Sequence, residues 1–384
     1  MKTVVVIGCG FAGIAAIKLL SRYPQDISLI VIDKNTANSF LPLLPDLVGR
    51  DLAENNITYP IDTLSHSYRF RFINSLVTDV DLTAKRVFTA STEIPYDYLL
   101  IASGSETNFY GNDAASAGAM KLDTAHDVQK IRQALQQSAY THLIIAGGGY
   151  TGIEMAAGLR RYCSKHRQNP DITIVERADR ILGPLPEWMR TYVHNNLRDL
   201  RIDVLTKSVI TQINDQHIVV NNAKTYTRAL LIWAAGVQTA EYIQKLPVPK
   251  NPQGRLISDR YLQVEKSCFA AGDAALFLWK NTPLRMSVQF ALTQGECAAK
   301  NILRAVQARP LITFKPKDPG YIIPLANNRS CGSVLGLSMR GMLPTMLHFL
   351  LCLYYLYGIK NKCRLLIELI RSEFKQKDRE VKNS

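Results

Sequence analysis

The chain has 384 residues, against a soft prior of roughly 150 per domain, so it holds two or three domains and a small disulfide-stapled fold is excluded. Apolar residues make up 47% and charged residues 20%, with 22 Gly and 17 Pro, which excludes a disordered or collagen-like chain. Lys and Arg number 46 against 32 Asp and Glu, and the formal charge of +14 points to an anionic partner, membrane lipid or nucleic acid, unless it is spread evenly over the surface.

The first predicted strand, Thr3 to Ile7, is an unalternating β-branched run of the kind buried on both faces of a parallel sheet. It meets Gly8-Cys9-Gly10-Phe11-Ala12-Gly13, then a helical run from Ile14 to Ser21, then a strand from Ser28 to Ile32 ending at Asp33. These are the parts of a dinucleotide fingerprint: Gly8 for the tight turn, Gly10 for close approach of a diphosphate, Gly13 for helix–strand packing, and Asp33 for ribose hydroxyls. The pattern recurs. Strand Thr141 to Ala146 leads to Gly147-Gly148-Gly149-Tyr150-Thr151-Gly152, a helix from Ile153 to Tyr162, and a strand from Ile172 to Val175 ending at Glu176. Gly147, Gly149 and Gly152 take the three glycine roles, and Glu176 favours NADH by accepting from the ribose 2′-hydroxyl and repelling a 2′-phosphate. Arg177 beside it either softens that choice or is a solvated charge. Two fingerprints in one chain imply electron transfer between a nicotinamide and a flavin.

Further along, Phe269-Ala270-Ala271-Gly272-Asp273-Ala274 is a strand-to-turn segment. Its Asp273 either binds a polyol or caps the helix that follows. Gln289 to Val306 reads as an Ala-rich helix whose N-terminus presents positive dipole density. The seven cysteines, at 9, 163, 268, 297, 331, 352 and 363, contain no C-x-x-C pair, so neither a disulfide framework nor a metal site is indicated. A signal peptide at the N-terminus would remove the first strand, so the chain is expected not to be secreted.

The C-terminal stretch Met342 to Ile359 is strongly apolar and about eighteen residues long, near the lower limit of roughly 17 to 25 for a span. Pro344, His348 and the tyrosines 354, 355 and 357 suit an interface better. Lys360 to Phe374 reads as a basic amphipathic helix for anionic lipid, and Lys375 to Ser384 is expected to be disordered. A helical hairpin packed on the protein's own core is the other reading. No nucleic-acid motif occurs, so lipid is the expected anionic partner.

On these residues the chain resembles the two-dinucleotide-binding flavoprotein reductases, in which a segment like 269–274 closes the FAD site of the first fingerprint. Leu99 to Gly104 and Leu231 to Gly236 match that superfamily's two strand–turn crossings, with Ser103 where Thr is usual. Phe40 to Asp46, Gly104 to Phe109, Trp233 to Val237, Gly149 to Glu154 and Val288 to Gly295 sharpen the resemblance to the membrane-bound type II NADH dehydrogenases over nearly the whole chain. Asp46 stands where Glu is common, Val288 replaces Ala, and Thr293 replaces the first Gln of a pair.

The resemblance implies an α/β fold with two Rossmann-like domains, the NADH domain inserted in the FAD domain, plus a C-terminal amphipathic helical membrane-attachment region. The boundaries expected are 1–112 and 252–325 for the FAD domain, 113–251 for the NADH domain and 326–384 for the attachment region. It implies tightly but non-covalently bound FAD, NADH as substrate, and quinone as acceptor in a respiratory chain without proton pumping. Gly8, Gly10, Gly13, Asp33, Gly104, Asp273 and Gln294 would serve FAD; Gly147, Gly149, Gly152, Glu176 and Gly236 would serve NADH. Glu154, which helix capping also explains, would assist the nicotinamide, with Gln289 and Thr293 near the acceptor. A peripheral place on the cytoplasmic face of the cell membrane follows, and a homodimer is open.

Two alternatives compete. A sulfide:quinone reductase needs a redox cysteine pair, for which only Cys163 and Cys331 come into question. A flavin- and NADH-binding sensor would need the same nucleotide sites without turnover.

Overall fold

Unalternating Val, Ile and Leu runs can pair only where both faces are covered, and they do so here in parallel sheets. The computed structural model describes residues 1–382 except 51, 215 and 216, with backbone alone for 373–382. In chain order the elements used below are β1 (Lys2–Ile7), α1 (Phe11–Leu20), β2 (Ile27–Asp33), α2 (Leu44–Gly49), β3 (Arg71–Asn74), β4 (Tyr98–Ile101), β5 (His142–Ala146), α3 (Tyr150–Lys165), β6 (Asp171–Val175), β7 (Ile202–Leu205) and β8 (Ala229–Trp233). They continue with β9 (Gln263–Glu265), β10 (Cys268–Ala270), α4 (Val288–Val306), β11 (Gly320–Ile323), β12 (Ser330–Val334), β13 (Leu337–Gly341), α5 (Met342–Tyr355) and α6 (Ile359–Lys382).

The chain forms two compact units. The first comprises Met1–Asn38, Tyr59–Glu106 and Val237–Asp318. Its sheet runs β9-β10-β4-β1-β2-β3 and is parallel except at β9. Ile7 pairs with Ile32 on one side and Ile101 on the other, so three strand ends meet at one edge. Val5, Ile7, Ile30, Ile32, Leu99 and Ile101 form the core under the sheet. On the helical side, α1 and α4 approach so closely that a Cβ on Gly295 would lie 2.1 Å from the Ala12 carbonyl oxygen.

The second unit comprises Ser39–Thr58, Thr107–Gly236 and Pro319–Ser384. Its parallel sheet runs β7-β6-β5-β8, with Ala146 paired to Val175 and Trp233. An antiparallel sheet β11-β12-β13 leads into α5 and α6. Asp33 and Asp273 share the first unit, while both the second fingerprint and the C-terminal helices lie in the second.

These units divide the chain differently from the expected boundaries. Residues 39–58 join the second unit because α2 lies backbone to backbone on α3: a Cβ on Gly49 would stand 2.7 Å from the Gly158 Cα, and one on Gly158 2.9 Å from the Pro45 carbonyl oxygen. Residues 237–251 join the first because Tyr242, Ile243 and Leu246 enter its core. Residues 326–384 are part of the second unit rather than a separate region.

The C-terminal helices bear on two further expectations, the preference for an interface over a span and the disordered tail. Among the described residues no helix is long and apolar enough to cross a membrane. The segment expected to be disordered continues α6 to Lys382. In the sequence Glu373 precedes Lys377, and Asp378 precedes Lys382, by four residues, an order that supports a helix. Residues 383 and 384 lie outside the described residues.

The α2–α3 contact gives a direct test. Gly158→Val is expected to cost roughly 1–3 kcal/mol through overpacking, lowering the thermal unfolding midpoint. Gly183→Ala, at an exposed glycine with nothing within 4 Å of its Cβ position, should leave that midpoint unchanged.

Candidate functional site

In the first unit β1 runs into Gly8, whose φ of +100° excludes ordinary side chains. Its amide donates to the Ile32 carbonyl at 2.8 Å. A Cβ on Gly13 would lie 1.9 Å from the Gly8 carbonyl oxygen, so the helix can seat on the turn only without one. Gly10 differs. It is the residue before α1, and nothing lies within 4 Å of where its Cβ would be. That open space fronts the helix N-terminus, where amides lack intrahelical acceptors, and fits a diphosphate.

The second unit repeats this arrangement almost atom for atom. Gly147 has φ +106° and donates to the Val175 carbonyl at 2.8 Å. A Cβ on Gly152 would lie 2.0 Å from the Gly147 carbonyl oxygen, and Gly149, before α3, again has nothing within 4 Å. The strand-end acids match as well. Asp33 Oδ2 accepts the Cys9 amide at 2.7 Å and Oδ1 the Asn35 amide at 2.8 Å. Glu176 Oε2 accepts the Gly148 amide at 2.6 Å and Oε1 the Ala178 amide at 2.7 Å. Each carboxylate therefore braces its own glycine turn, a role the fingerprint reading did not include. Burial raises the Asp33 pKa, against the amide bonds that lower it.

The remaining first-unit residues converge on the turn at Gly272–Ala274. Asp273 accepts from the Ser105 hydroxyl at 3.0 Å, and burial raises its pKa against the influence of Ser105 and Arg255. Arg255 Nε donates to the Asp273 carbonyl at 3.1 Å. Gln294, 2% exposed, accepts the Gly272 amide on its side-chain oxygen at 2.8 Å, so it holds the Asp273 turn in place. Gly104 sits between β4 and Ser105 with φ +70° and nothing against its Cβ position. Gln289 is half-buried in the first turn of α4, and the Thr293 hydroxyl donates back to the Gln289 carbonyl at 2.9 Å. Thr293 can thus offer a ligand only its lone pairs.

In the second unit Gly236 meets Tyr110, whose hydroxyl oxygen would be 2.1 Å from a Cβ there. The Arg177 guanidinium lies 5.9 Å over the same ring. Tyr110 is 58% exposed and was not singled out in the sequence, where an isolated tyrosine in a loop carries no pattern.

Glu154, on α3, lines a small cavity of about 10 Å³ with Asp46, Arg50, Ala326 and Phe349, at the lower margin for one water. Arg50 Nε donates to Asp46 Oδ1 at 2.8 Å, and its Nη2 donates to Asn328 at 2.8 Å. His348 Nε2 lies 3.8 Å from Asp46 Oδ2 and 3.6 Å from the Cys352 sulfur. Burial pushes Asp46 upward, but His348 and Arg50 outweigh it and hold the carboxyl below its usual range. Burial works to lower His348, and Cys352 and Asp46 outweigh it, so the ring stays protonated well above its usual range. Burial pushes Glu154 up to about 8, raised further by Asp46 and opposed by His348.

Six of the seven cysteines are buried, none is disulfide-bonded, and only Cys363 is exposed. Burial raises Cys163 to about 11 and Cys331 to about 12. Both are therefore protonated, unreactive thiols at neutral pH.

The duplicated turn is the signature of a known group. A profile of the pyridine nucleotide-disulphide oxidoreductases matches residues 2–295. The chain belongs to that family. It departs from the family's name in having no cysteine between Cys9 and Cys163. It is similar to the type II NADH:quinone oxidoreductase of Staphylococcus haemolyticus, 26% identical over 370 residues, covering 88% of this chain and 91% of the relative. Its fold resembles NDH2 from Plasmodium falciparum, solved in complex with NADH, with a TM-score of 0.85 at 18% identity and coverage of 97% and 98%. The sulfide:quinone oxidoreductase of Aquifex aeolicus is less similar, with a TM-score of 0.77 at 20% identity and coverage of 94% and 92%.

The Glu154 environment predicts a pH effect. An unfolded chain ionises Glu154 near 4.5, the folded one near 8, so between these values the unfolded state binds fewer protons and this residue makes stability fall as pH rises. Glu154→Gln removes the titration. Thermal unfolding from pH 5 to 9 should show the variant gaining stability relative to the parent towards pH 9.

Proposed function

We propose that this chain is a type II NADH:quinone oxidoreductase that takes electrons from NADH through FAD to a quinone. The carrying observation is the pair of equivalent glycine turns, one in each unit, in a chain of this family. FAD belongs to the first unit, held by the open face of Gly10, by Asp33 for the ribose, and by the Ser105–Asp273 turn that Gln294 and Arg255 fix. NADH belongs to the second, over Gly149, with Glu176 facing the ribose that a 2′-phosphate would burden with a like charge.

Bound FAD supplies hydride acceptance and onward electron transfer. The chain's own residues supply the rest. The N-terminus of α4, carrying Gln289 and Thr293, is suited by its dipole to an electron-rich group. Glu154, neutral at pH 7, can donate a hydrogen bond or a proton that an ionised carboxylate could not. In this assignment Met1–Asn38, Tyr59–Glu106 and Val237–Asp318 are the FAD domain, interrupted by the NADH-binding sequence.

The thiols favour NADH over sulfide as donor. Cys163 and Cys331, the candidate pair, are buried and protonated, whereas sulfide oxidation through cysteine needs an accessible low-pKa thiol. In the anaerobic holoprotein, NADH is expected to bleach the flavin absorbance and a quinone analogue to restore it, while NADPH leaves it largely oxidised. Bleaching by sulfide but not NADH would overturn the assignment.

Quinone is a lipid-soluble acceptor, and the second unit carries a surface that fits the membrane. On α5, Met342, Leu343, Met346, Leu350 and Tyr354 are exposed, while Pro344, Thr345 and Cys352 are buried and His348 points to Asp46. Thr345 and His348 thus face the protein, whereas Tyr354 stands on the exposed face. Leu366, Ile367 and Ile370 on α6 and Leu335 and Leu337 beside the β12–β13 turn are exposed too. Arg340, Lys360 and Arg364, close to them in the chain, are exposed as well. An apolar patch rimmed by cations suits an anionic leaflet, each cation adding roughly 1 kcal/mol. The cytoplasmic face, where NADH is supplied, is the side assigned.

Met346→Glu with Leu350→Glu is expected to abolish flotation with vesicles of anionic lipid while NADH still bleaches the flavin. Binding by the parent protein should weaken in high salt and yield to alkaline carbonate. Undiminished flotation of the double variant would place the attachment elsewhere.

A further inference from the structure

Four ionisable side chains from three elements meet beside one small cavity in the second unit. Asp46 comes from α2 and Arg50 from its C-cap, Glu154 from α3, and His348 from α5, with the Cys352 thiol one turn further along α5. Side-chain exposure of Asp46 and His348 is only 10% and 11%. The Asn328 side chain completes the set by accepting from Arg50, and the Phe349 ring packs 4.6 Å from the same guanidinium.

Bookkeeping of charge makes the cluster informative. Asp46 and Arg50 form a close hydrogen-bonded ion pair that neutralises itself. His348 then adds a positive charge, and Glu154, which lines the same cavity as Asp46, is the remaining carboxyl that can balance it by losing a proton. A buried charge left unbalanced is costly. Protonation of Glu154 and of His348 must therefore be coupled, and the pair titrates in joint steps.

We propose that His348 is a positioning residue whose charge, anchored by Asp46, determines whether Glu154 holds a proton. The inference rests on the NADH:quinone reading for its purpose. NADH plus quinone plus one proton gives NAD⁺ plus quinol, so each turnover draws one proton beyond the hydride. A carboxyl whose protonation is set by a neighbouring cation is a means of holding that proton near neutral pH. With His348 neutral or absent, Glu154 would keep its proton to higher pH and release it less readily.

Burial and the opposing effects of Asp46 and His348 on Glu154 agree with this direction. So does the construction of α5. In a stretch of apolar residues, one side chain in reach of Asp46 is a titratable imidazole, and the other buried polar one, Thr345, is 2.6 Å from the Ser330 hydroxyl. Thr345 thereby fixes the helix that carries His348.

The test is infrared spectroscopy of the full-length, flavin-loaded protein in its resting oxidised state, across pH. The protonated-carboxyl band of Glu154 is assigned as the one missing in Glu154→Gln. In the parent protein it should disappear with a midpoint near 8. In His348→Gln that midpoint should rise by at least one pH unit, a tenfold change in proton affinity. His348→Arg, which restores a fixed cation, should return it to the parent value or below.

Retained flavin absorbance checks that each variant folds. If His348→Gln does not retain flavin, His348→Asn takes its place with the same expected rise. An unchanged midpoint in the neutral variant, or a midpoint in His348→Arg raised above that of the parent, overturns the proposal. The infrared result needs no quinone, so a chain that fails to reduce quinone yet shows the shift would refute the enzymatic reading and leave the coupling intact. Where quinone is reduced, the alkaline limb of the kcat–pH profile should move with the infrared midpoint.

Discussion

Contact between backbones with no Cβ between them underlies both units. Gly13 lies over the Gly8 carbonyl, Gly152 over the Gly147 carbonyl, Gly295 against Ala12, and Gly49 against Gly158. At the two fingerprint turns the contact brings helix and strand together at the end of a buried parallel sheet. Gly10 and Gly149 have the opposite character, facing open space. Close packing on one side and clearance on the other is what allows a helix N-terminus to be presented to an anionic group. A side chain at the packed glycines would push the helix away; one at the open glycine would fill the cradle.

The strand-end carboxylates extend this logic. Asp33 and Glu176 each accept the amide that follows the first glycine of the turn. A group expected to recognise a ribose is also the brace that orders the loop before any ligand arrives. Preorganisation of this kind lowers the entropy lost on binding. It also means that removing either carboxylate changes the turn as well as the contact, so loss of affinity in such variants has two sources.

On the helix before the last, the buried and exposed faces differ in chemistry. On α5 two of the residues that weaken a membrane-spanning reading, Pro344 and His348, are turned to the protein interior with Thr345 and Cys352, while Tyr354 is exposed. Outside remain Met342, Leu343, Met346 and Leu350, with Tyr354. The helix is not long and apolar enough to cross a bilayer; it brings an imidazole to Asp46 and leaves its other face exposed. Because α2 delivers Asp46 and α3 delivers Glu154, the charge cluster depends on the close α2–α3 contact that Gly49 and Gly158 permit.

The sequence by itself determined the elements whose signals are local. Both strand–turn–helix–strand units follow from apolar runs, glycine spacing and a terminal acid, all within about thirty residues of one another. The acids at the strand ends, Asp33 and Glu176, and the helix read from Gln289, which begins one residue earlier, were legible for the same reason. Charge pattern likewise pointed to the apolar and basic character of the C-terminal helices. Tertiary structure alone decided which distant segments share a unit: residues 39–58 with α3, residues 237–251 with the first sheet, and the C-terminal helices with the second unit. It alone turned Gln294 into the holder of the Asp273 turn, and showed that Thr293 spends its proton on its own helix. It alone brought His348 to Asp46, residues some three hundred positions apart. No local periodicity encodes that meeting, because a buried charge is stabilised by whichever partners the packed helices deliver, and those partners exist only once the chain has folded.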